Sequence, residues 1–280
     1  MHAAAIQLAE ATITQLERLV RRLGSADAPD QGIWLAYRQA RLRLGARFSV
    51  QELATVLATL QTQAARELEP LLREAALAGQ VAGERTLSLA GLRGPGVPVE
   101  PLVAAALEAL RAELDAHATT LITGYRITDE VSLILGDTER VGALSPAAIG
   151  GSAATWFTRL QAATLDATLN AAPATRRIVW HRQAIATLGS RTTDCCLRVH
   201  GQIVPMNEPF SLTGTPRFAN QMNHPPFHWN CRTVEALVPV EALDDALTRE
   251  LRTEAARELA ARARGSTAQR DARSPTARRS

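Results

Sequence analysis

The chain has 280 residues, 46% of them hydrophobic, enough to bury one large core or two smaller ones. Roughly fifty alanines against 4% aromatic residues make a helical composition, because alanine loses no side-chain entropy in a helix. The net charge of +3 sits at the end of the chain, where six arginines between Arg262 and Arg279 face only Asp271 and leave −2 for the rest, so a basic DNA-binding face is not indicated. No apolar run approaches the ~20 residues of a membrane span. The opening MHAAAIQLAEATITQL lacks the basic start and unbroken apolar stretch of a signal peptide. Three cysteines are too few, and odd in number, for a disulfide scaffold.

The first element is a helix with a narrow seam of Ile6, Ala9, Ile13, Leu16, Val20 and Leu23, stopped by Gly24. So strict a seam predicts one facing helix, inside the same domain or on a docking partner. Trp34 to Leu44 reads as a short helix. Ser49 with Glu52 is a capping box, and Leu53, Val56, Leu57, Leu60, Ala64, Leu68, Leu71 and Leu72 carry a helix on to about Gly79. Gly91 to Pro98 is a glycine- and proline-rich loop and closes a helical region spanning 1–95. A second helical group spans 96–155. Pro101 opens its first helix, with Val103, Leu107, Leu110 and Leu114 on one face. His117 there reads as a structural histidine. Ser145-Pro146 opens a further helix that Gly150-Gly151-Ser152 interrupts, a weak signal for an anion-binding nest.

Composition changes at Trp156. Seven of the eleven aromatics and all three cysteines lie between there and Trp229, with His200, His224 and His228. Strand-like pieces appear at Gln202–Val204 and Thr233–Val240, so strands are expected only over about 200–240. Residues 156–240 form a compact, loop-rich module. A last helix at 241–265 carries Glu/Arg pairs on a solvated face. The tail, 266–280, is too polar to order itself and is expected to be disordered. Its Arg270, Arg273, Arg278 and Arg279 are candidate contacts to DNA or another polyanion. The fold class is mainly α with a small α+β C-terminal module.

The chemistry concentrates in TTDCCLRVHG and HPPFHWNCR. Cys195, Cys196, His228 and Cys231 offer the thiolates and imidazole that zinc prefers, and a small module gains folding energy from such a metal. His200 and His224 are further candidates for a fourth ligand. No C-x-x-C pair is present. A Cys196–Cys231 disulfide suits only an oxidising compartment. A thiol enzyme is the sharper rival, with Cys196 or Cys231 as nucleophile, His228 or His200 as base and Asp194 as orienter. No phosphate loop, dinucleotide fingerprint or HExxH helix occurs, and no small-molecule substrate is evident.

Taken together, these motifs resemble the C-terminal pattern of the phage Mu protein F-like family of head morphogenesis, or minor head, proteins. Arg191 and Thr192 match its Arg-Thr pair, Cys196 the cysteine four residues on, and Gly201 the glycine after it. Pro225 and Pro226 stand in its proline-rich loop, and His228, Asn230, Cys231 and Arg232 match its terminal H-P-N-C-R-C. Trp180 sits where the family has a tryptophan before the pair. Trp229 replaces a proline and Thr233 the last cysteine, so Cys195 becomes the substitute ligand. The resemblance covers about Trp156 to Val240, roughly a third of the chain.

The resemblance implies a non-enzymatic minor capsid component. It would be associated with the portal and other capsid proteins, located in the virion head and, during assembly, in the host bacterial cytoplasm. It implies a possible structural zinc on the Cys/His cluster and contact with DNA through the tail, without membrane attachment. Two alternatives of other classes remain: a thiol-dependent enzyme or toxin-related transferase using Cys196 or Cys231 with His228, and a zinc-stabilised binding module unconnected with phage.

Overall fold

The computed structural model describes residues 1–24, 50–125, 146–189, 192–212, 219–228 and 230–272. The chain is mostly helical with a small sheet in its C-terminal region. The long helices are α1 (His2–Gly24), α2 (Val50–Leu89), α3 (Glu100–Tyr125) and α4 (Pro146–Asn170). The strands β1 (Trp180–Ile185), β2 (Ile203–Pro205), β3 (Phe210–Ser211), β4 (Gln221–Met222) and β5 (Val234–Pro239) follow, with the short helix α5 (Asp194–Val199) between β1 and β2 and α6 (Asp245–Ala272) at the end. Among the described residues no helix is long and apolar enough to cross a membrane. The expected helix at Trp34–Leu44 and the cap Ser49 lie outside the described residues, and so does the side chain of His117.

Helix α2 does not end near Gly79. It runs to Leu89, because Gly79 and Gly83 are points of close approach rather than stops. A Cβ on Gly79 would run into the Gln161 carbonyl of α4, and one on Gly83 would lie 2.7 Å from the Thr168 Cβ. Only glycine permits that approach. The alanines Ala75, Ala76 and Ala82 on α2 and Ala153, Ala154 and Ala162 on α4 are buried in the same region. Helix α4 likewise runs unbroken through Gly150 and Gly151, so those residues form no nest. The boundary expected at 155/156 therefore falls inside a helix.

The halves share one core. Ile6, Ile13 and Leu16 of α1, Leu68 and Leu72 of α2, Leu107 and Leu110 of α3 and Phe157 of α4 form one cluster with Ile185, Val234, Ala236 and Val238 of the sheet. Helix α1 packs against α2, α4 and β5, not against a single neighbour. Its buried face includes Ala5, Thr12 and Leu19, wider than the seam read from the sequence. Ile6, Ala9, Ile13 and Leu16 of that seam are buried against the chain's own helices and sheet.

The main sheet is antiparallel in the order β2-β1-β5, with Arg182 opposite Leu237 and Val204, and Gln183 opposite Ala236 and Ile203. β2 and β5 lie where strand-like sequence was expected; β1 lies earlier than expected. Its sequence WHRQAI looks polar, but Arg182 and Gln183 are buried. Each has a distant partner. Arg182 pairs with Glu235 of β5 at 3.3 Å. The Gln183 Oε1 accepts a 2.7 Å hydrogen bond from His2 Nε2, while His2 Nδ1 accepts one of 2.8 Å from the Asp244 backbone N–H. The second residue of the chain thus ties the sheet to the start of α6. Asp244 caps that helix, its Oδ1 accepting from the N–H groups of Ala246 and Leu247. Helix α6 continues to Ala272, past the expected end at 265 and into the segment expected to be disordered. The stretch ARARGSTAQRDA holds no proline and carries four alanines and three arginines, both good helix formers. Arg270 falls on this helix, and Arg273, Arg278 and Arg279 lie outside the described residues.

Candidate metal centre

The centre joins two segments more than thirty residues apart. The first is the start of α5, where the neighbouring Cys195 and Cys196 are both buried. The second is the turn from His228 to Cys231, closed by a Cys231 N–H to His228 carbonyl bond. Asn230 has φ +57°, a left-handed conformation that asparagine tolerates better than most residues. Helix α4 holds this turn. The Thr155 hydroxyl accepts from the Asn230 N–H at 2.8 Å, and the Thr158 hydroxyl donates to the Cys231 carbonyl at 2.8 Å.

Cys195, Cys196 and His228 are buried, and their ligand atoms lie within 4.8 Å of one another, so the group can hold a metal ion. Cys196 Sγ is 2.9 Å from His228 Nε2 and 3.7 Å from Cys231 Sγ, which places the third sulfur beside the group. The Thr193 hydroxyl lies 2.7 Å from His228 Nε2 and 3.2 Å from Cys195 Sγ. No cysteine is in a disulfide. The hydrogen bond from Cys196 lowers the Cys195 thiol to about 5, against the cost of burial. Burial pushes Cys231 up, but hydrogen bonds from Cys196 and His228 outweigh it and hold this thiol well below its ordinary value. Cys196, the shared donor to both sulfurs, is raised. Two thiols and an imidazole gathered at one buried point match the donor chemistry of zinc.

His200 and His224, considered as fourth ligands, are placed elsewhere. His200 Nδ1 accepts from the Ala186 N–H at 3.0 Å, and burial lowers its pKa to about 4. His224 joins a separate polar cluster, with Nδ1 3.1 Å from Glu235 and Nε2 3.8 Å from Asp166. Its hydrogen bond to Glu235 raises its pKa. Arg182 completes that cluster, donating to the carbonyls of Asn223 and Glu208.

The other motif positions have structural roles. Thr192 donates to the Thr187 carbonyl at 2.7 Å. Gly201 has φ +74° just past α5, and a Cβ there would lie 3.1 Å from Leu251 of α6. Arg232 pairs with Glu17 of α1 at 3.2 Å. Asp194 pairs instead with Arg262 at 3.1 Å, so it does not orient an imidazole. Arg262 also donates to the Thr192 and Gly189 carbonyls, each at 2.5 Å, and clamps the loop before α5. In the sequence Arg262 is one of the charges of the arginine-rich end, and nothing in its local sequence distinguishes it. Phe227 packs edge-on to Phe210, centroids 5.6 Å apart, in the cluster that holds the three cysteines. Trp180 belongs to a different cluster, with Leu169 and Leu237. Arg191 and Trp229 lie outside the described residues.

Above the centre opens a cavity of about 460 Å³, with Thr193, Cys196, His228, Asn230, Arg232 and Thr233 among its walls. Thr233, at the position where the resembled motif has its last cysteine, is buried there, and its hydroxyl has no hydrogen-bond partner among the described residues. Compared with protein-family models, curated proteins and solved structures, the chain matches none.

Proposed function

We propose that the chain is a minor head protein of a phage or prophage, a structural adaptor at the portal and in capsid assembly. Its C-terminal module would be closed by a structural zinc ion on Cys195, Cys196 and His228, with Cys231 adjoining. One observation carries the reading. The positions that resemble the Mu F-like motif, scattered from Thr192 to Arg232, meet in one locus and hold it together. Cys196, His228 and Cys231 form its centre, Gly201 permits the approach of α6, Asn230 makes the turn, and Arg232 reaches α1. Such an arrangement is that of a staple. Zinc in a structural site contributes on the order of 10 kcal/mol of apparent binding free energy, enough to decide whether a small module folds. The tail arginines Arg273, Arg278 and Arg279 supply the proposed contact to DNA, and the site of action is the virion head, reached through the host cytoplasm.

The Cys196–His228 pair in a cavity wall favours a second reading, a thiol enzyme. A thiol hydrolase also needs a group that orients the imidazole, and Asp194, the candidate for that role, pairs with Arg262 instead. The adaptor reading is therefore preferred. Deleting the gene from the genome that carries it, then complementing with the chain, tests it. The expected result is loss of DNA-filled heads on deletion and recovery of the chain in purified particles on complementation. Normal particle yield without the chain, and particles free of it when it is restored, would contradict the reading and leave a binding module unconnected with phage.

A further inference from the structure

We infer that Cys196 and Cys231 are a redox pair that closes into a disulfide by exchange with a low-molecular-weight disulfide entering the cavity above them. The inference rests on the proposed stapling role of this cluster, not on the presence of a metal. Four placements carry it. The two sulfurs lie 3.7 Å apart, within reach of a bond of about 2 Å after side-chain rotation. Cys196 is the cysteine in the cavity wall; Cys195 and Cys231 are not among the lining residues. His228 Nε2 stands 2.9 Å from Cys196 Sγ, placed to take its proton. The backbone of Cys231 is anchored through the Thr158 hydroxyl, so the second sulfur is presented from a fixed position.

The exchange has two steps. Cys196 passes its proton to His228 and attacks one sulfur of the reagent, forming a mixed disulfide and expelling one thiolate. Cys231 then attacks the Cys196 sulfur and expels nothing but the second reagent thiolate. The two departing thiolates take up the two protons. The protein pair is oxidised by two electrons, and the reagent disulfide is reduced to two thiols. The product joins the same two segments that the metal would join, by a covalent bond. A particle protein leaves a reducing cell for an oxidising exterior, and this pair would keep its module closed in both.

The test uses the full chain, stripped of metal by a chelator and equilibrated in mixtures of reduced and oxidised glutathione of increasing oxidising poise. Remaining thiols are alkylated and the linkages mapped by peptide mass. The expected product is a Cys196–Cys231 crosslink with Cys195 alkylated, also formed by the Cys195→Ser variant. Cys231→Ser should accumulate glutathione on Cys196. A Cys195–Cys196 linkage, glutathione on Cys195, or three alkylated thiols in the most oxidising mixture would overturn the inference. A parallel sample carries one equivalent of zinc, expected to slow crosslinking about tenfold or more. Crosslinking at an unchanged rate would contradict the zinc reading while supporting the redox pair.

Discussion

The helical region and the C-terminal module are held by different means. Around the α2–α4 crossing, small residues bring backbones together: Gly79 and Gly83 against Gln161 and Thr168, with alanines on both helices. There the stabilisation comes from apolar area and dispersion spread over many side chains. In the module, a few buried polar ties add to the apolar contacts. His2 binds Gln183, Arg182 binds Glu235, and the thiols meet His228. Spread contacts tolerate the loss of one member, whereas a buried polar tie that loses one partner leaves the other unsatisfied. The module should therefore be the more brittle of the two under single substitutions.

The sharpest break in this comparison is at Arg182, fully buried beside Glu235. Arg182→Ala leaves the buried carboxylate with His224 alone and should cost about 3–5 kcal/mol, whereas Arg182→Met with Glu235→Leu should recover most of it. Denaturant unfolding of the two variants checks this; equal losses would show that packing, not pairing, sets the brittleness.

A slightly smaller effect should follow pH. His200 is held at about 4 in the fold by burial, against an ordinary 6.5. As pH falls below 6.5, the unfolded chain takes a proton that the folded chain refuses. Stability present above 6.5 is therefore lost progressively toward pH 4, by roughly 3 kcal/mol. His224 acts in the other window. Its pKa is raised by Glu235, so its contribution is complete below 6.5 and is lost as pH rises through the raised value. His200→Asn, which can still accept from the Ala186 N–H, should flatten the acid side of the stability profile. An unchanged acid slope in that variant would assign the loss to other groups.

The smallest effect tests the bridge between the two regions. Thr158→Val removes the hydroxyl that donates to the Cys231 carbonyl and should cost about 1 kcal/mol. Its hydrogen-exchange protection should drop in the 228–233 segment and not along α2. A loss spread evenly over both regions would erase the distinction between them.

The same contrast decides what could be read from the sequence. Helices held by an apolar face announce themselves through spacing: Ile6, Ile13 and Leu16 gave α1, and Leu68, Leu71 and Leu72 gave α2. Glycine misled twice, at Gly79 and at Gly150-Gly151, because a close helix crossing and a helix stop use the same residue. β1 was missed because Arg182 and Gln183 are buried with partners 53 and 181 residues away, which no local window sees. In the site, residue types alone brought out Cys195, Cys196, His228 and Cys231, since few other groups bind soft metals. The partners that remove His200 and His224 from it, and the hydroxyls of Thr155 and Thr158 that hold the turn, come from elements distant in sequence and left no signal.

The most direct test of the account is the metal itself. Protein expressed and purified without added metal should carry close to one zinc per chain by elemental analysis, and a chelator should lower its melting temperature. Cys196→Ser and His228→Ala should each abolish both the zinc and the chelator response. Metal-free protein whose melting temperature a chelator leaves unchanged would contradict the zinc staple and leave Phe227 packed on Phe210 as what closes the module.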